Sequence, residues 1–345
     1  MSKLAPVYDE FMGLLDNAAF VTVDCELSGL TEDKAGITTI PDYLLLLRDG
    51  VTTYSLLQVG FCIAVYEKHE QKDKWALYPY NFYVYPNEDC IMHLRSTTIK
   101  WLKDHGFDFM KWIEEGLPYQ RLDEANRRLR RTKRQKSVSR WGLQRLVKAV
   151  VESRKPVVVH NGLLDLFHVC DKFIAALPEE PQEIIRMIYE KLGPAIYDTK
   201  VVARYLQESG LHDMKGLFSL NWLYQSYDKR FKFYRSTRII ETACKLEYKA
   251  AASGATDGEE ESFTKIDLNR LHEAGFDATV TAMVFTAEMI LLQKVENISK
   301  QQMPKDSKEY ATFITNNFKQ VINRVNIHDQ LGTEFLDFDR VEVET

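Results

Sequence analysis

Four acidic residues set among apolar segments constrain the folding of this chain more than any other feature. Asp24 and Glu26 close an apolar stretch at residues 19–25, Asp165 follows a run of valines, and Asp277 lies early in an apolar helical pattern. A carboxylate among apolar residues is costly unless it is paired, hydrogen-bonded or bound to a metal ion. We therefore predict a fold that brings these four residues, spread from position 24 to position 277, into one polar site.

Asp24 and Glu26 lie two residues apart at the end of a predicted buried strand, in VTVDCELSGL at residues 21–30. Side chains alternate along a strand, so both carboxylates are expected on one face, where they can share a metal ion. An isolated Asp-x-Glu pair more often ends a strand in water. The apolar character of this strand favours the buried site.

Asp165 lies in HNGLLDL at residues 160–166, where leucines flank it on both sides. Asn161 is the expected cap of the helix that starts here, so Asp165 is not needed for that role. A carboxylate with no capping role in an apolar helix again indicates a bound metal ion or a partner. His160, considered alone, would be interpreted as a core histidine.

His272 and Asp277, in HEAGFD at residues 272–277, fall in a helical pattern predicted over residues 267–294. Five residues of α-helix rotate by about 500°, so the two side chains would project about 140° apart. A metal ligand and a water-activating histidine approach a metal site from different directions, so this offset is acceptable. On its own, the pair would be interpreted as polar residues at an ordinary helix start.

The four carboxylates and the histidine fit two-metal hydrolysis of a phosphodiester. In that chemistry one divalent ion activates water and the other stabilises the leaving 3′ oxygen, with the ions about 4 Å apart. Mg²⁺ prefers carboxylate oxygens and retained waters, and four carboxylates offset the charge of two such ions. A histidine, whose pKa is near neutral, can take the proton from the attacking water.

The composition predicts a globular protein without a structural zinc site. Of the 345 residues 45% are hydrophobic, and the net charge of −5 argues against a protein that coats nucleic acid electrostatically, although it allows a local basic groove. The five cysteines are widely spaced and form no CxxC pair, which favours a reducing compartment. Residues 1–16 lack a signal-peptide pattern and no apolar run reaches about 18 residues, so we expect neither secretion nor a membrane span.

Periodicity predicts a mixed α/β sheet flanked by helices. Strands are predicted over residues 19–25, 56–66, 81–86, 156–160 and 195–198. Helices are predicted over residues 7–18, 96–105, 198–207 and 267–294, with a further helix starting near residue 161.

Residues 1–327 are predicted to form a single domain, followed by an acidic tail at residues 328–345. The polar segment at residues 120–140 is predicted to be an insertion, and seven of the ten residues at 127–136 are basic. That basic run is consistent with RNA contacts, with nuclear import or with an ordinary solvated face, and the sequence leaves these three open. Residues 250–261 are predicted to form a mobile acidic loop.

The three acidic motifs, together with the linking segments GFDF at 106–109, GLPY at 116–119 and IYDTK at 196–200, resemble the deadenylase group of DEDDh 3′–5′ exoribonucleases. Within that group the chain is similar to the poly(A)-specific ribonuclease family, and more closely to its nuclear, Cajal-body branch, which matures small nuclear RNA 3′ ends. The resemblance covers roughly residues 15–295. It implies an RNase H-like fold, Mg²⁺ dependence and 3′→5′ removal of adenylates as 5′-AMP. With the two-metal interpretation of the carboxylates, the expected cofactor is two Mg²⁺ ions, and the sequence leaves open whether Mn²⁺, which accepts the same oxygen ligands, also serves.

The resemblance also assigns roles and partners. By motif match, the implied metal ligands are Asp24, Glu26, Asp165 and Asp277, with His272 as general base. The candidate substrate-binding residues are Leu27, Ser28, His160 and Asn161. The expected partner is single-stranded RNA with an adenylate-rich 3′ end, and a homodimer and a nuclear location are further expectations, with the cytoplasm as the alternative compartment. A catalytically weak RNA-binding or scaffold relative is the alternative function, and the linking segments argue against a DNA exonuclease.

Overall fold

The computed structural model describes residues 5–31, 36–68, 74–86, 91–119, 142–211, 218–233, 236–244, 271–299, 302–327, 331 and 335–340. The insertion predicted at residues 120–140 and the acidic loop predicted at 250–261 lie outside these described residues. The first residues of the helix predicted at 267–294 also lie outside them.

The helices are α1 (Ala5–Asp16), α2 (Ile40–Thr53), α3 (Ser96–Asp104), α4 (Phe109–Glu115), α5 (Leu143–Ser153), α6 (Leu163–Val169), α7 (Pro181–Leu192), α8 (Thr199–Glu208), α9 (Leu220–Phe231), α10 (Ala274–Val295) and α11 (Ser307–Asn316). A π-helical turn, Cys170–Ile174, extends α6. The strands are β1 (Phe20–Leu27), β2 (Leu56–Glu67), β3 (Lys74–Pro86), β4 (Leu117–Tyr119), β5 (Val157–Val159), β6 (Ile196–Asp198), β7 (Thr237–Ile239), β8 (Arg324–Asn326) and β9 (Phe335–Asp337).

All of these strands join one mixed sheet in the order β4-β3-β2-β1-β5-β6-β8-β9, with β7 paired to β3. Strands β1, β2 and β3 form an antiparallel meander. Strand β1 then pairs in parallel with β5, β5 with β6, and β6 with β8. The predicted α/β class, a mixed central sheet flanked by helices, is therefore confirmed.

The two faces of the sheet are both buried, and β1 shows how its alternation divides the core. Val21 and Val23 pack in the cluster that includes apolar residues of α1, α2, α5, α6 and α7. Phe20 packs in the second cluster, with residues of α8, α9, α10 and α11. The Thr22 hydroxyl, on that same face, donates to the Ala278 carbonyl of α10 at 2.7 Å. A strand in the middle of a three-layer structure is apolar on both sides, as the sequence of β1 is.

Helix α10 is the central helix of the second layer. Among the described helices it is the one long and apolar enough to cross a bilayer. However, 94% of its 18-residue apolar segment is buried inside the fold. A helix that is apolar all round, as α10 is, suits the core of a large domain.

Two predicted segments differ from the structure near the C-terminal half. The helix predicted from residue 267 begins at Ala274, so His272 lies in the turn before it. Part of the predicted acidic tail is sheet: β9 pairs antiparallel with β8, and the side chain of Phe338 is fully buried. A strand of three residues is too short for a period of two to be visible in the sequence.

Candidate active site

The C-terminal end of β1 carries Asp24 and Glu26 into a cleft of about 740 Å³. In the register with β2, Asp24 lies opposite Gly60 and Glu26 lies opposite Gln58. Both acids have the parity of Thr22, so strand alternation directs them to the α10 face of the sheet. The register shifts immediately after Glu26, so regular pairing stops where the cleft begins.

Asp165 reaches the same cleft because β5 runs parallel to β1 and both strands end at the same edge. The chain turns sharply at Gly162, where an added Cβ would lie 2.5 Å from the Val159 Cβ. Helix α6 starts directly afterwards and holds Asp165 in its first turn. The Cys25 backbone and thiol hydrogen-bond to the Asp165 carboxylate from β1.

Asp277 lies in the first turn of α10, and three β2 and β3 residues position that turn. Gln58 accepts a hydrogen bond from the Ala274 N–H at 3.2 Å. The Asn81 amide accepts from the Gly275 N–H at 3.1 Å and donates to Glu273 at 2.9 Å. At Gly60 an added Cβ would lie 2.0 Å from the Ala274 carbonyl, so α10 can approach the sheet because this residue has no side chain.

His272 precedes α10 and approaches the cleft from a strained turn. Its φ of 83° is in the left-handed region that non-glycine residues rarely adopt. Its N–H donates to the Asp277 carboxylate at 3.0 Å, across five residues of sequence. The predicted separation of the two side chains by 140° on one helix was therefore wrong, because the helix starts after His272.

Burial raises the proton affinity of all four carboxylates, and the charges of other members of the cluster raise it further for Asp24, Glu26 and Asp277. Burial raises the pKa of Asp24 well above its usual range, and the charges of Asp165, Asp277 and Glu26 raise it further. Burial likewise raises the pKa of Glu26, with the charge of Asp277 as the next cause. Burial raises the pKa of Asp165 and the pKa of Asp277 to about 7 each. Such a cluster is stable only when it holds protons or a compensating cation.

The donor set of this cluster fits a divalent metal ion. One potential ligand atom from each of Glu26, His272 and Asp277 lies within 4.8 Å of the other two. Among the residues that the structure describes, the buried Oδ1 atom of Asp277 finds no hydrogen-bond donor. A buried carboxylate oxygen without a donor is costly, and coordination to a hard cation would satisfy it.

His272 is poised to be neutral rather than charged. Burial, followed by the neighbouring His105, lowers the pKa of His272 to about 4. Its ring packs against Trp101 and His105, both at the end of α3, with centroid distances of 4.1 and 4.6 Å. A neutral imidazole beside the carboxylates can accept a proton at physiological pH.

One wall of the cleft is apolar and suited to a nucleobase. Leu27, one of the predicted substrate-binding residues, lines it together with Leu30 and Trp101, which are 56% and 40% exposed. Ser28, by contrast, is not among the described residues that line the cleft. Its buried hydroxyl donates to the His93 carbonyl and accepts from the Ser55 N–H, so Ser28 fastens the chain after β1 rather than facing a substrate.

The opposite wall is polar and includes His160 and Asn161. The Nδ1 atom of His160 lies 2.7 Å from the Thr199 hydroxyl, and burial, followed by Lys200, lowers the pKa of His160 to about 3. Asn161 is not the cap of α6, as was predicted, because Gly162 occupies the cap position. Its φ is 53°, and its amide oxygen accepts from Asn326 of β8.

The buried carboxylate of Asp198 holds together the segments that form this polar wall. Its carboxylate caps α8 by accepting from the Lys200 N–H, and it also accepts from the N–H groups of Asn161 and Asn326. The side chain is fully buried and occupies the N-cap position of α8.

Several residues of the site had not been identified from the sequence, namely Gln58, Asn81, Trp101, His105 and Asn326. Gln58 and Asn81 left a weak signal, since each is a polar residue in an otherwise apolar or aromatic strand. Trp101 and His105 left none, because their role depends on how α3 packs against a turn far along the chain.

A protein-family model supplies the observation that decides the family. The model described as CAF1 family ribonuclease matches residues 1–140 and 120–285, most of the chain. The chain belongs to the CAF1 ribonuclease family. The predicted membership of the deadenylase group of exonucleases is thereby confirmed at the level of the family.

Curated relatives of this CAF1-family chain include poly(A)-specific ribonucleases. It is 21% identical over 248 residues to poly(A)-specific ribonuclease PARN of Danio rerio, covering 68% of this chain and 33% of that protein. It is 21% identical over 388 residues to the pre-piRNA 3′-exonuclease trimmer of Bombyx mori, covering 81% and 69% respectively. An uncharacterized Schizosaccharomyces pombe protein is 35% identical over 121 residues, or 28% of its length. The chain thus spans about a third of the length of the S. pombe and D. rerio proteins.

A solved structure agrees with the fold. S. pombe Pop2p, in its Mg²⁺- and Mn²⁺-bound form, superposes with a TM-score of 0.51 at 16% identity, covering 94% of this chain and 95% of that one. The CAF1-family chain therefore has the RNase H-like fold that the sequence predicted.

Proposed function

We propose that this CAF1-family protein is a metal-dependent 3′→5′ exoribonuclease that removes adenylates from RNA 3′ ends and releases 5′-AMP. One observation carries most of the argument. Four carboxylates from β1, α6 and α10, two of them buried (Glu26 and Asp277) and two half-buried (Asp24 and Asp165), converge beside a histidine whose pKa is lowered to about 4. This convergence in a member of a ribonuclease family supports hydrolysis of a phosphodiester rather than RNA binding alone.

The carboxylates of Asp24, Glu26, Asp165 and Asp277 would hold two Mg²⁺ ions, with Mn²⁺ as an alternative. When bound, such ions polarise the scissile phosphate and lower the pKa of water. The chain's own part is to fix these oxygens before substrate arrives. The hydrogen bonds from Cys25 to Asp165 and from His272 to Asp277 perform that task.

His272 is the proposed general base. Because its imidazole is neutral at physiological pH, a ring nitrogen can take a proton from the attacking water. Its place beside Asp277, fixed by the backbone hydrogen bond, keeps that nitrogen near the carboxylates. Because the His272 ring is partly buried against Trp101 of the apolar wall, fewer bulk water molecules compete for its nitrogen.

The cleft suits the last nucleotide of a single strand. A base freed from stacking can pack on Leu27, Leu30 and Trp101, while His160 and Asn161 offer polar groups on the other side. The names of the similar proteins, poly(A)-specific ribonuclease and pre-piRNA 3′-exonuclease, support an RNA 3′ end as the substrate and adenylate as the preferred residue.

A nuclear location and a homodimer complete the proposal. Both derive from the family resemblance, and the basic run at residues 127–136 is compatible with nuclear import. Fluorescence microscopy of the tagged full chain, with and without that run, would test the first, and light scattering after gel filtration would test the second.

A time course on 5′-labelled oligo(A) and matched oligo(U), with Mg²⁺ and with EDTA, tests the activity directly. We expect a ladder that shortens from the 3′ end only with metal and faster on oligo(A), and no ladder from folded Asp24→Ala protein. Equal activity of Asp24→Ala would contradict the carboxylate cage. No shortening by folded wild-type protein would favour the RNA-binding or scaffold alternative.

A further inference from the structure

Three aromatic rings meet at the edge of the carboxylate cluster. Trp101 and His105 come from the C-terminal end of α3, and His272 comes from the turn before α10. The ring centroids of Trp101 and His105 are 4.2 Å apart, so the three rings contact one another pairwise.

The ring of His105 is oriented by its own helix. Its Nδ1 atom lies 2.7 Å from the Trp101 carbonyl, and a carbonyl can only accept, so Nδ1 is the nitrogen that donates. The backbone N–H of His105 also bonds to the Trp101 carbonyl, at 3.1 Å. These two bonds fix His105 without any help from His272.

Among the described residues, the side chain of His272 has no such hydrogen bond from a helix of its own, so contacts with another part of the fold must orient it. His272 lies outside the helix, and its φ of 83° is held in place by the N–H bond to Asp277. That bond fixes the backbone but leaves the side-chain torsions unconstrained. Strained backbone persists at functional sites when the surroundings determine the conformation from several sides.

We propose that His105 is a positioning residue which, together with Trp101, holds the imidazole of His272 in the orientation that faces the carboxylates. The inference rests on the proposed function of His272 as the general base. In this proposal the end of α3 supports catalysis by orienting His272, although His105 is not among the described residues that line the cleft.

A purely structural role for His105 is the competing explanation. An exposed histidine at the C-terminal end of a helix stabilises the helix by hydrogen-bonding to the last carbonyl groups and by its interaction with the helix dipole. This stabilisation alone could explain why a histidine is present. Such a role predicts a lower melting temperature on substitution without a selective effect on turnover.

Three variants separate the two explanations: His105→Ala removes the ring, His105→Phe retains an aromatic ring, and His93→Ala is a matched loss of an exposed histidine away from the cluster. We expect His105→Ala to lower kcat roughly 10-fold through misplacement of the base, with KM and the metal-induced rise in Tm unchanged. His105→Phe loses the Nδ1 donor to Trp101 but keeps a ring that can pack on His272, so it should recover part of kcat, and His93→Ala should match wild type. Folded His105→Ala with kcat within about twofold of wild type, or His105→Phe as impaired as His105→Ala, would overturn the proposal.

The ring signals of His272 give a readout that does not depend on activity. In ¹H–¹³C spectra, Trp101 should shift the His272 ring protons, and this shift should shrink in His105→Ala but persist in His105→Phe. Unchanged His272 signals in His105→Ala would overturn the proposal whatever the activity. Wild-type protein without nuclease activity, in which the signals nevertheless move as expected, would refute the proposed function while supporting the ring contact.

Discussion

Asp277 shows, at the scale of one side chain, why the cluster calls for a cation. One oxygen accepts the His272 N–H and the other is buried without a donor among the described residues. Burial destabilises the charged carboxylate more than the hydrogen bond from His272 stabilises it, so the pKa of Asp277 is raised to about 7. Its charged form therefore lowers the stability of the metal-free fold.

The substitution Asp277→Asn should stabilise the protein in EDTA at pH 8. The folded pKa is raised, so the cost of ionisation appears as pH rises above about 4, the unfolded value, and is complete above about 7. Three pKa units correspond to at most about 4 kcal/mol, and the gain should vanish towards pH 4. Urea unfolding at both pH values measures it, with exposed Asp104→Asn as control. Equal stabilities at pH 8 would contradict the raised pKa.

His272 leads to a kinetic prediction. Replacing it with Ala should lower kcat by about 10²–10⁴-fold, the usual contribution of a general base, while the metal-induced rise in Tm persists. Single-turnover rates on oligo(A) and thermal melts with Mn²⁺ would measure the two effects. Loss of the metal-induced rise together with the activity would instead identify His272 as a metal ligand.

At the scale of elements, the approach of α10 to β2 decides whether the site exists. Gly60 is opposite Asp24 in the sheet, and the first residue of α10 occupies the space that a side chain at position 60 would need. The helix must begin there for Asp277 to meet β1.

Gly60→Ala should therefore destabilise the fold by about 1–3 kcal/mol or more and abolish activity, since backbone rather than a flexible side chain must move. Gly13→Ala in α1 is a matched control, because an added Cβ there meets nothing within 4 Å. That variant should gain up to about 1 kcal/mol from helix propensity. Denaturant midpoints measure both, and a Gly60→Ala protein as stable as wild type would exclude the close approach.

The sequence predicted some elements well and missed others for identifiable reasons. Strand β1 and the central part of the sheet were visible because long apolar, β-branched runs end at polar motifs. Strands β4, β7, β8 and β9 have three residues each, too few to show a period, whereas the equally short β5 and β6 were visible as apolar runs that end at His160 and Asp198. The start of α10 was misplaced because the apolar pattern continues through the turn at His272. The acids could be named from their motifs, whereas Gln58, Asn81 and His105 act through contacts with distant segments.

At the scale of the whole molecule, metal binding should be coupled to stability. The net charge is −5, and among the described residues that line the cleft Lys200 is the one lysine or arginine, so bound cations would supply most of the local positive charge. Ions that bind only the folded state stabilise it by mass action.

We expect Mg²⁺ or Mn²⁺ to raise Tm, and the rise to be larger at pH 8 than at pH 6. The carboxyl pKa values are raised, so protons compete with the metal at the lower pH. Differential scanning fluorimetry at constant ionic strength would measure it, with Asp24→Ala as the variant that should lose the effect. A rise that is independent of pH, or one retained by Asp24→Ala, would place the metal elsewhere.

The distance along the chain between Asp24 and the turn that carries His272 has a consequence during protein synthesis. A ribosome that has not yet released the turn at His272 and α10 exposes a nascent chain with three of the four carboxylates and no base. If the proposed activity is correct, that chain cannot degrade the message being translated beside it. Completion of the nuclease coincides with the docking of a core helix, so the protein becomes active only once its second layer has folded.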